Sequence, residues 1–335
     1  MTDLKNKKEL FNVVSLFSGG GGSSTGYGMV GGKTYVASEF VPLAADTYEA
    51  NWPKTRVIRK DIRETDAKEF EIDKEIDLLD GSPPCSAFSI SGKRDKLWKT
   101  EKKYSDTTQS NVEDLFFEYI RILNHLQPRT FIAENVSGLI KGKSKGYFKT
   151  IYRGLRDCGY VIKAAELNSK YFEVPQSRPR IIFVGIREDL YKEQKFFPSP
   201  VLPLISCREA FVGVEPTQDE LDMVNMEKYT IYNRLKRLRH GEKDIERFNL
   251  VKTHPDLPAQ TLTAHAGSLG AAGVKHWDNR GFTVRELKRL FSVPDDYQLF
   301  GNLQKQGERL GRMVPCFMAR AVSENLLKQG LYGNT

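Results

Sequence analysis

The sequence predicts an α/β fold, a doubly wound and mainly parallel sheet with a second, smaller domain, on three observations. Short apolar runs at strand length alternate with helix-like stretches from about residue 11 to 186, and such alternation favours parallel strands joined by crossover helices. The first run ends in a turn dense in glycine, Phe17-Ser18-Gly19-Gly20-Gly21-Gly22. From about Leu190 the pattern becomes irregular, broken by Pro198, Pro200, Pro203, Pro216, Pro255 and Pro258, which suits a loop-rich domain. Helical spacing returns at 283–291 and 315–328, so the expected boundaries are 1–189, 190–275, and a return to the first domain over 276–335.

Phe11 to Phe17 (FNVVSLF) is β-branched and apolar and reads as the first strand, with small residues after the glycines opening a helix. Thr34 to Glu39 reads as the second strand, followed by a helix through about Asn51. Val57 to Ile62, Ile76 to Leu79, Phe131 to Ala133, Val161 to Leu167 and Ile181 to Ile186 supply further strands. Asp114 to Leu126 and Phe148 to Cys158 read as helices between them. Ligands of such sheets bind beyond the carboxyl ends of the strands, so the residues just after each strand are the candidates.

The 335 residues are 39% hydrophobic and 28% charged, the balance of a globular protein. No apolar run nears the roughly 20 residues that span a bilayer, so no membrane partner is expected. Met1 to Leu10 is polar and Lys-rich, unlike a signal peptide. The four cysteines, Cys85, Cys158, Cys207 and Cys316, form no CxxC pair, which argues against a disulfide framework or structural zinc and for a cytoplasmic location. A net charge of +8 points to a polyanionic partner. Lys93, Arg94, Lys96, Lys99, Lys102 and Lys103 crowd one stretch, and further basic runs lie at 141–156 and 234–239. Each run alone also fits a solvated face.

Four segments carry candidate chemistry. The glycine turn lets the backbone approach a ligand at a helix N-terminus, and Glu39 ends the second strand where nucleotide sites place a carboxylate for ribose hydroxyls. In Gly81-Ser82-Pro83-Pro84-Cys85-Ser86-Ala87-Phe88-Ser89 a cysteine is presented rigidly after two prolines at a strand's carboxyl end, which suits a nucleophile if the thiolate is favoured; a lone cysteine also fits an inert small hydrophobe. Glu134-Asn135-Val136 places a carboxylate after another strand, suited to acid chemistry or base-edge hydrogen bonding. Gln176-Ser177-Arg178-Pro179-Arg180 sets two guanidinium groups at alternating positions, so both are expected on one face, able to hold anions or carbonyl oxygens.

In this order, from about Val13 to Leu326, these segments resemble the DNA cytosine-5 methyltransferase family. The resemblance implies a Rossmann-like sheet dependent on S-adenosylmethionine, with residues 190–275 as a target recognition domain. Phe17, Ser18, Gly19, Gly21 and Gly22 match the first cofactor motif, Glu39 and Phe40 the ribose acid and its adenine-stacking neighbour, and Asp61 and Ile62 the adenine-contacting pair. Pro84, Leu115, Arg312, Met313 and Val314 complete the implied cofactor set. Thr261-Leu262-Thr263-Ala264 and the stretch from Arg285 to Asp295 resemble the segment that follows recognition.

By the same resemblance, the Cys85 thiolate attacks cytosine C6, breaking the ring's conjugation so that C5 becomes nucleophilic. Glu134 holds the N3 and N4 edge, Arg178 binds the O2 side, and Arg180 supports the catalytic loop. No metal is implied. C6 is unreachable in a duplex, so the base must be flipped out at a cost of a few kcal/mol. Ser86, Ser89, Lys93 and Arg94, in the stretch where the family has a loop that closes over DNA, are expected to contact duplex DNA. Arg237, Arg239, Thr263 and His265 are expected to contact it from the recognition domain. A monomer is expected, with a cognate restriction endonuclease as a system partner.

One departure concerns the C-terminal cofactor motif, where the family commonly has Gly-Asn and this chain has Gly311-Arg312-Met313-Val314-Pro315. Arg312 either turns outward or pairs with a neighbouring acid, or it accepts the carboxylate of carboxy-S-adenosylmethionine, giving a carboxymethyl transferase. Three further readings stay open: methylation of RNA cytosine, a catalytically silent DNA binder, and a flavin or NAD oxidoreductase. The last leaves the Pro-Pro-Cys, ENV and QSRPR segments unexplained.

Overall fold

The computed structural model describes residues 1–84, 102–103, 107–109, 115–140, 145–247 and 249–333. The chain forms two compact units: a sheet unit of Thr2–Leu167, Pro179–Ser199 and Ala319–Thr335, and a second unit of Met1, Asn168–Arg178 and Pro200–Met318.

In the sheet unit, α1 (Thr2–Lys5) precedes β1 (Phe11–Leu16), buried along its whole length, as a strand covered on both faces must be. There follow α2 (Gly22–Gly28), β2 (Gly32–Ser38), α3 (Pro42–Asn51), β3 (Arg56–Ile58) and β4 (Leu78–Gly81). After the short antiparallel pair β5 (Lys102–Lys103) and β6 (Thr108–Gln109) come α4 (Leu115–Leu126), β7 (Thr130–Val136), α5 (Lys145–Asp157), β8 (Tyr160–Asn168) and β9 (Pro179–Arg187). α4 buries Leu115, Phe116, Tyr119, Ile122 and Leu123, one stripe at helical spacing. These pack with Leu16, Leu79, Phe131 and Phe183 of the sheet.

The seven strands lie in the order β3-β2-β1-β4-β7-β9-β8. β3, β2, β1, β4 and β7 pair in parallel, whereas β9 is antiparallel to β7. Residues 169–178 between β8 and β9 are fewer than a parallel crossover demands, so β9 enters the sheet reversed. Two expected strand ends shift. The third strand stops at Ile58, and Ile62 begins a 3-10 turn capped by Asp61. Glu134 and Asn135 lie inside β7 rather than after it, because they continue the ladder opposite Ile182 and Ile181.

The second unit carries only short elements over its proline-interrupted stretch, since proline removes ladder and helix donors: α6 (Cys207–Ala210), α7 (Gln218–Met223), α8 (Tyr232–Arg237), and the parallel pair β10 (Val251–Lys252) and β11 (Val274–Lys275). Leu235 of α8 is buried with Met226, Ile231 and Leu250. α9 (Val284–Leu290) opens on a Thr283/Glu286 capping box, which satisfies two otherwise orphaned donors. α10 (Leu303–Arg312) is capped by Asn302, and α11 (Cys316–Leu327) follows, returning the chain to the sheet unit from Ala319. Among the described residues, no helix is long and apolar enough to cross a membrane.

Candidate active site

Parallel pairing of β3, β2, β1, β4 and β7 puts their carboxyl ends on one edge of the sheet. Asp61 follows β3, Glu39 and Phe40 follow β2, Phe17 to Gly22 follow β1, Ser82 to Pro84 follow β4, and Glu134 lies near the end of β7.

The turn after β1 adopts left-handed backbone at Phe17 (φ 53°), Gly19 (55°) and Gly21 (85°). Glycine takes such angles freely, whereas at Phe17 the conformation costs about 1–3 kcal/mol, a strain typical of ligand sites. A Cβ built on Gly19 would meet nothing within 4 Å, so the turn borders open space. Across it, Glu39 is 8% exposed. Its Oε2 accepts from the Gly19 N–H at 2.8 Å and its Oε1 from the Val41 N–H at 2.7 Å. One carboxylate thus ties the turn after β1 to the start of α3. Asp61 accepts from the Arg63 N–H at 3.1 Å and pairs with its guanidinium at 2.6 Å. Ile62 and Leu115 are buried, and Phe40 and Pro84 half-buried. Open space at a glycine turn beside an anchored acid fits the adenosine moiety of a methyl donor.

Arg312 ends α10 in the second unit, and Met313 and Val314, both buried, follow it. Arg312 Nε and Nη2 each lie 2.9 Å from Glu308 Oε1, one turn earlier. Its charge is therefore met by a neighbouring acid.

Cys85, Ser86, Ser89, Lys93 and Arg94 lie outside the described residues. The stem leading to Cys85 is described. Asn135 Nδ2 donates to the Pro83 carbonyl at 3.2 Å, and Asn135 Oδ1 accepts from the Val136 N–H at 2.8 Å. Sequence reasoning passed over Asn135; its signal was the place beside Glu134 in the ENV segment. The other cysteines are buried. Burial pushes the Cys207 thiol up to about 12 and raises that of Cys158, so neither is a ready thiolate.

Glu134 Oε1 meets Arg180 Nε at 2.7 Å, both side chains less than one-sixth exposed. The pair is diagonal across the ladder, because Glu134 faces Ile182 and Arg180 stands two residues earlier. Burial lowers the Arg180 guanidinium below its ordinary value, and Glu134 opposes the shift.

The expectation that both arginines of QSRPR share a face does not hold. Arg178 precedes β9, belongs to the second unit and is 3% exposed. Its Nη1 donates to the Leu262 carbonyl at 2.7 Å, its Nη2 to the Gly311 carbonyl at 2.9 Å, and its guanidinium lies over the Phe291 ring. Gln176 is fully buried, donating to the Leu290 carbonyl and accepting from the Leu262 N–H. The alternation argument fails because residues 176–178 pair with the 259–262 segment instead of extending the strand.

Of the residues expected on DNA, Thr263, His265, Arg237 and Arg239 are exposed in the second unit, whereas Arg234 in the same basic run pairs with Asp244 and Glu246. The segment bearing Thr263 is seated on glycines: a Cβ on Gly311 would fall 2.0 Å from the Thr263 carbonyl oxygen, and one on Gly307 2.2 Å from the Gly267 nitrogen. Because those atoms are backbone, Gly311→Ala is expected to destabilise the protein by about 3 kcal/mol or more, read as a fall in denaturant midpoint at unchanged m. An unchanged midpoint would show that the helix and segment part at little cost.

Comparison with known proteins identifies the family. The model of the C-5 cytosine-specific DNA methylases matches residues 11–328. Type II methyltransferase M.Sau96I of Staphylococcus aureus is 33% identical, with 96% of this chain aligned to 76% of that protein. M.NgoPII of Neisseria gonorrhoeae is 29% identical over 94% of this chain and 95% of its own. Among solved structures, a prophage-encoded DNA modification methyltransferase from E. coli superimposes with a TM-score of 0.76 at 20% identity, covering 95% of this chain and 99% of that one. A DNMT2 mutant of Spodoptera frugiperda reaches 0.70 at 17% identity, with the same coverage. These neighbours share the fold. Since the family match spans residues 11–328, nearly the whole chain, the chain belongs to the C-5 cytosine-specific DNA methylases, enzymes that are DNA (cytosine-5-)-methyltransferases.

Proposed function

We propose that the protein methylates C5 of a cytosine flipped out of a specific duplex DNA site, through a covalent bond between Cys85 and C6, acting as a monomer. The observation that carries this reading is the Glu134–Arg180 pair, 2.7 Å apart across β7 and β9, with Asn135 of β7 anchoring the Pro83 carbonyl. An acid and a guanidinium together suit the N3/N4 edge and the O2 of one pyrimidine, respectively. Arg180 therefore takes the O2 role first expected of Arg178, and Arg178 holds the 262 and 311 backbone segments.

Cys85 Sγ bonds to C6 as a thiolate, and the displaced electron pair moves into the ring. Glu134 as an acid supplies the proton that N3 takes up and accepts from the exocyclic amine. S-adenosylmethionine supplies the electrophilic methyl group. Loss of the C5 proton to a base then lets the Cys85–C6 bond break while N3 returns its proton to Glu134, restoring the ring, the acid and the thiolate. The glycine turn, Glu39, Phe40, Asp61 and Ile62 are assigned to the donor, and Thr263, His265, Arg237 and Arg239 to DNA. The Arg312–Glu308 pair favours the unmodified donor over its carboxylated form.

Nucleoside mass spectrometry on unmethylated duplex DNA tests this reading. Incubation with S-adenosylmethionine is expected to yield 5-methylcytosine; tRNA is expected to stay unmodified, and so is DNA given carboxy-S-adenosylmethionine. A carboxymethyl product that disappears in Arg312→Asn would reverse the donor assignment, and product on tRNA alone would reverse the substrate. Glu39→Gln is expected to weaken S-adenosylmethionine binding roughly tenfold or more, as loss of charge-assisted hydrogen bonds does, which calorimetry would read directly.

A further inference from the structure

Asp80, the third residue of β4, is 3% exposed and has no part in the steps above. It stands opposite Ser15 in the parallel register of β1 and β4. The Ser15 hydroxyl donates to Oδ2 at 3.0 Å, and the Tyr27 hydroxyl, from α2, donates to Oδ1 at 2.7 Å. Inside the glycine turn, the Ser18 hydroxyl reaches the Ser15 carbonyl and hydroxyl oxygens at 3.0 and 2.9 Å. An unbroken chain of hydrogen bonds therefore joins the glycine turn, the helix it opens, and the strand that leads through Pro83 and Pro84 toward Cys85. A lone buried carboxylate is costly to keep, and an apolar side chain would fill a sheet core more cheaply. What the carboxylate does that an apolar group cannot is accept from two hydroxyls on two different elements at once.

We propose that Asp80 is a positioning residue for methyl transfer, its carboxylate fixing the glycine turn that takes the donor relative to the strand exit that presents the nucleophile. The inference rests on the donor site assigned above. Burial raises the Asp80 carboxyl to about 7, opposed by its bonds to Tyr27, Ser15 and Ser23 and increased by Glu134. The other titratable groups that face it, Tyr48, Tyr119 and Tyr332, are held neutral by burial, as is Tyr27. When Asp80 is protonated, its own O–H must find an acceptor, so one of the hydroxyls that donate to it loses its place. Donor affinity then falls as pH drops through about 7.

The test compares wild type with Asp80→Asn, Ser15→Ala and Tyr27→Phe, measuring S-adenosylmethionine affinity by calorimetry, KM and kcat for duplex DNA methylation, and melting temperature, between pH 5.5 and 8.5. Asp80→Asn is expected to raise the donor Kd and KM roughly tenfold, the scale of one lost charge-assisted bond, and to lose the change in affinity near pH 7. Ser15→Ala cuts Ser18 from Asp80 and is expected to raise the donor KM severalfold with kcat within about twofold; it carries the test if Asp80→Asn does not fold. The proposal is overturned if Asp80→Asn keeps the wild-type affinity and pH curve, or loses melting temperature alone. An inactive wild type that binds no donor would instead sink the donor site itself, and the positioning role with it.

Discussion

Replacing Cys85 by serine is expected to reduce 5-methylcytosine formation by about 10⁴-fold or more, the scale on which losing an enzyme's nucleophile acts, while S-adenosylmethionine affinity changes less than about twofold. The serine hydroxyl is far less ionised than a thiol near neutral pH and attacks C6 correspondingly poorly. The three remaining cysteines offer no substitute, being buried, with burial raising the thiols of Cys158 and Cys207. Mechanism-based trapping gives a second readout. Duplex DNA carrying 5-fluorocytosine at the target blocks loss of the C5 substituent, so wild type is expected to form a denaturant-stable adduct and Cys85→Ser none. An adduct in the variant would place the nucleophile elsewhere.

The second large effect separates the two arginines of QSRPR. Arg180→Met and Glu134→Gln are each expected to lower kcat by about 10²- to 10⁴-fold, the range of a lost acid or a lost electrostatic contact in a transition state. Arg178→Met is expected to act on stability. It strips the Leu262 and Gly311 carbonyls of their donors, at roughly 1–3 kcal/mol for each buried orphan. That corresponds to a melting temperature lower by roughly 10 °C, with the folded fraction keeping most of its kcat. Measuring melting and single-turnover rates on both variants decides the matter. If Arg178→Met melts like wild type and loses catalysis, the guanidinium that reads O2 is Arg178 after all.

The family of this enzyme was legible because its motifs are short, contiguous and placed at or near strand ends. The run FNVVSL is apolar enough to be a central strand, the glycines that follow can only be a turn, and a cysteine locked behind two prolines is conspicuous without any coordinates. Alternation of strand and helix predicted a mainly parallel sheet, and its parallel strands put their carboxyl ends on the same edge. The family resemblance, carried by motif order, then named the reaction.

Tertiary structure decided what depends on partners distant in sequence. Two arginines two residues apart are interchangeable in the sequence, yet one contacts backbone at 262 and 311 and the other a carboxylate at 134, because the register of β9 against β7 begins between them. Ser15 and Tyr27 converge on Asp80 only because β1, α2 and β4 pack together. Of the readings the sequence left open for Arg312, the helical turn that sets Glu308 beside it selects pairing with a neighbouring acid. Local sequence dictates backbone conformation and which side chains have reactive chemistry. Which of those side chains meet is set by strand register and helix packing, and these follow from long-range burial that no single segment encodes.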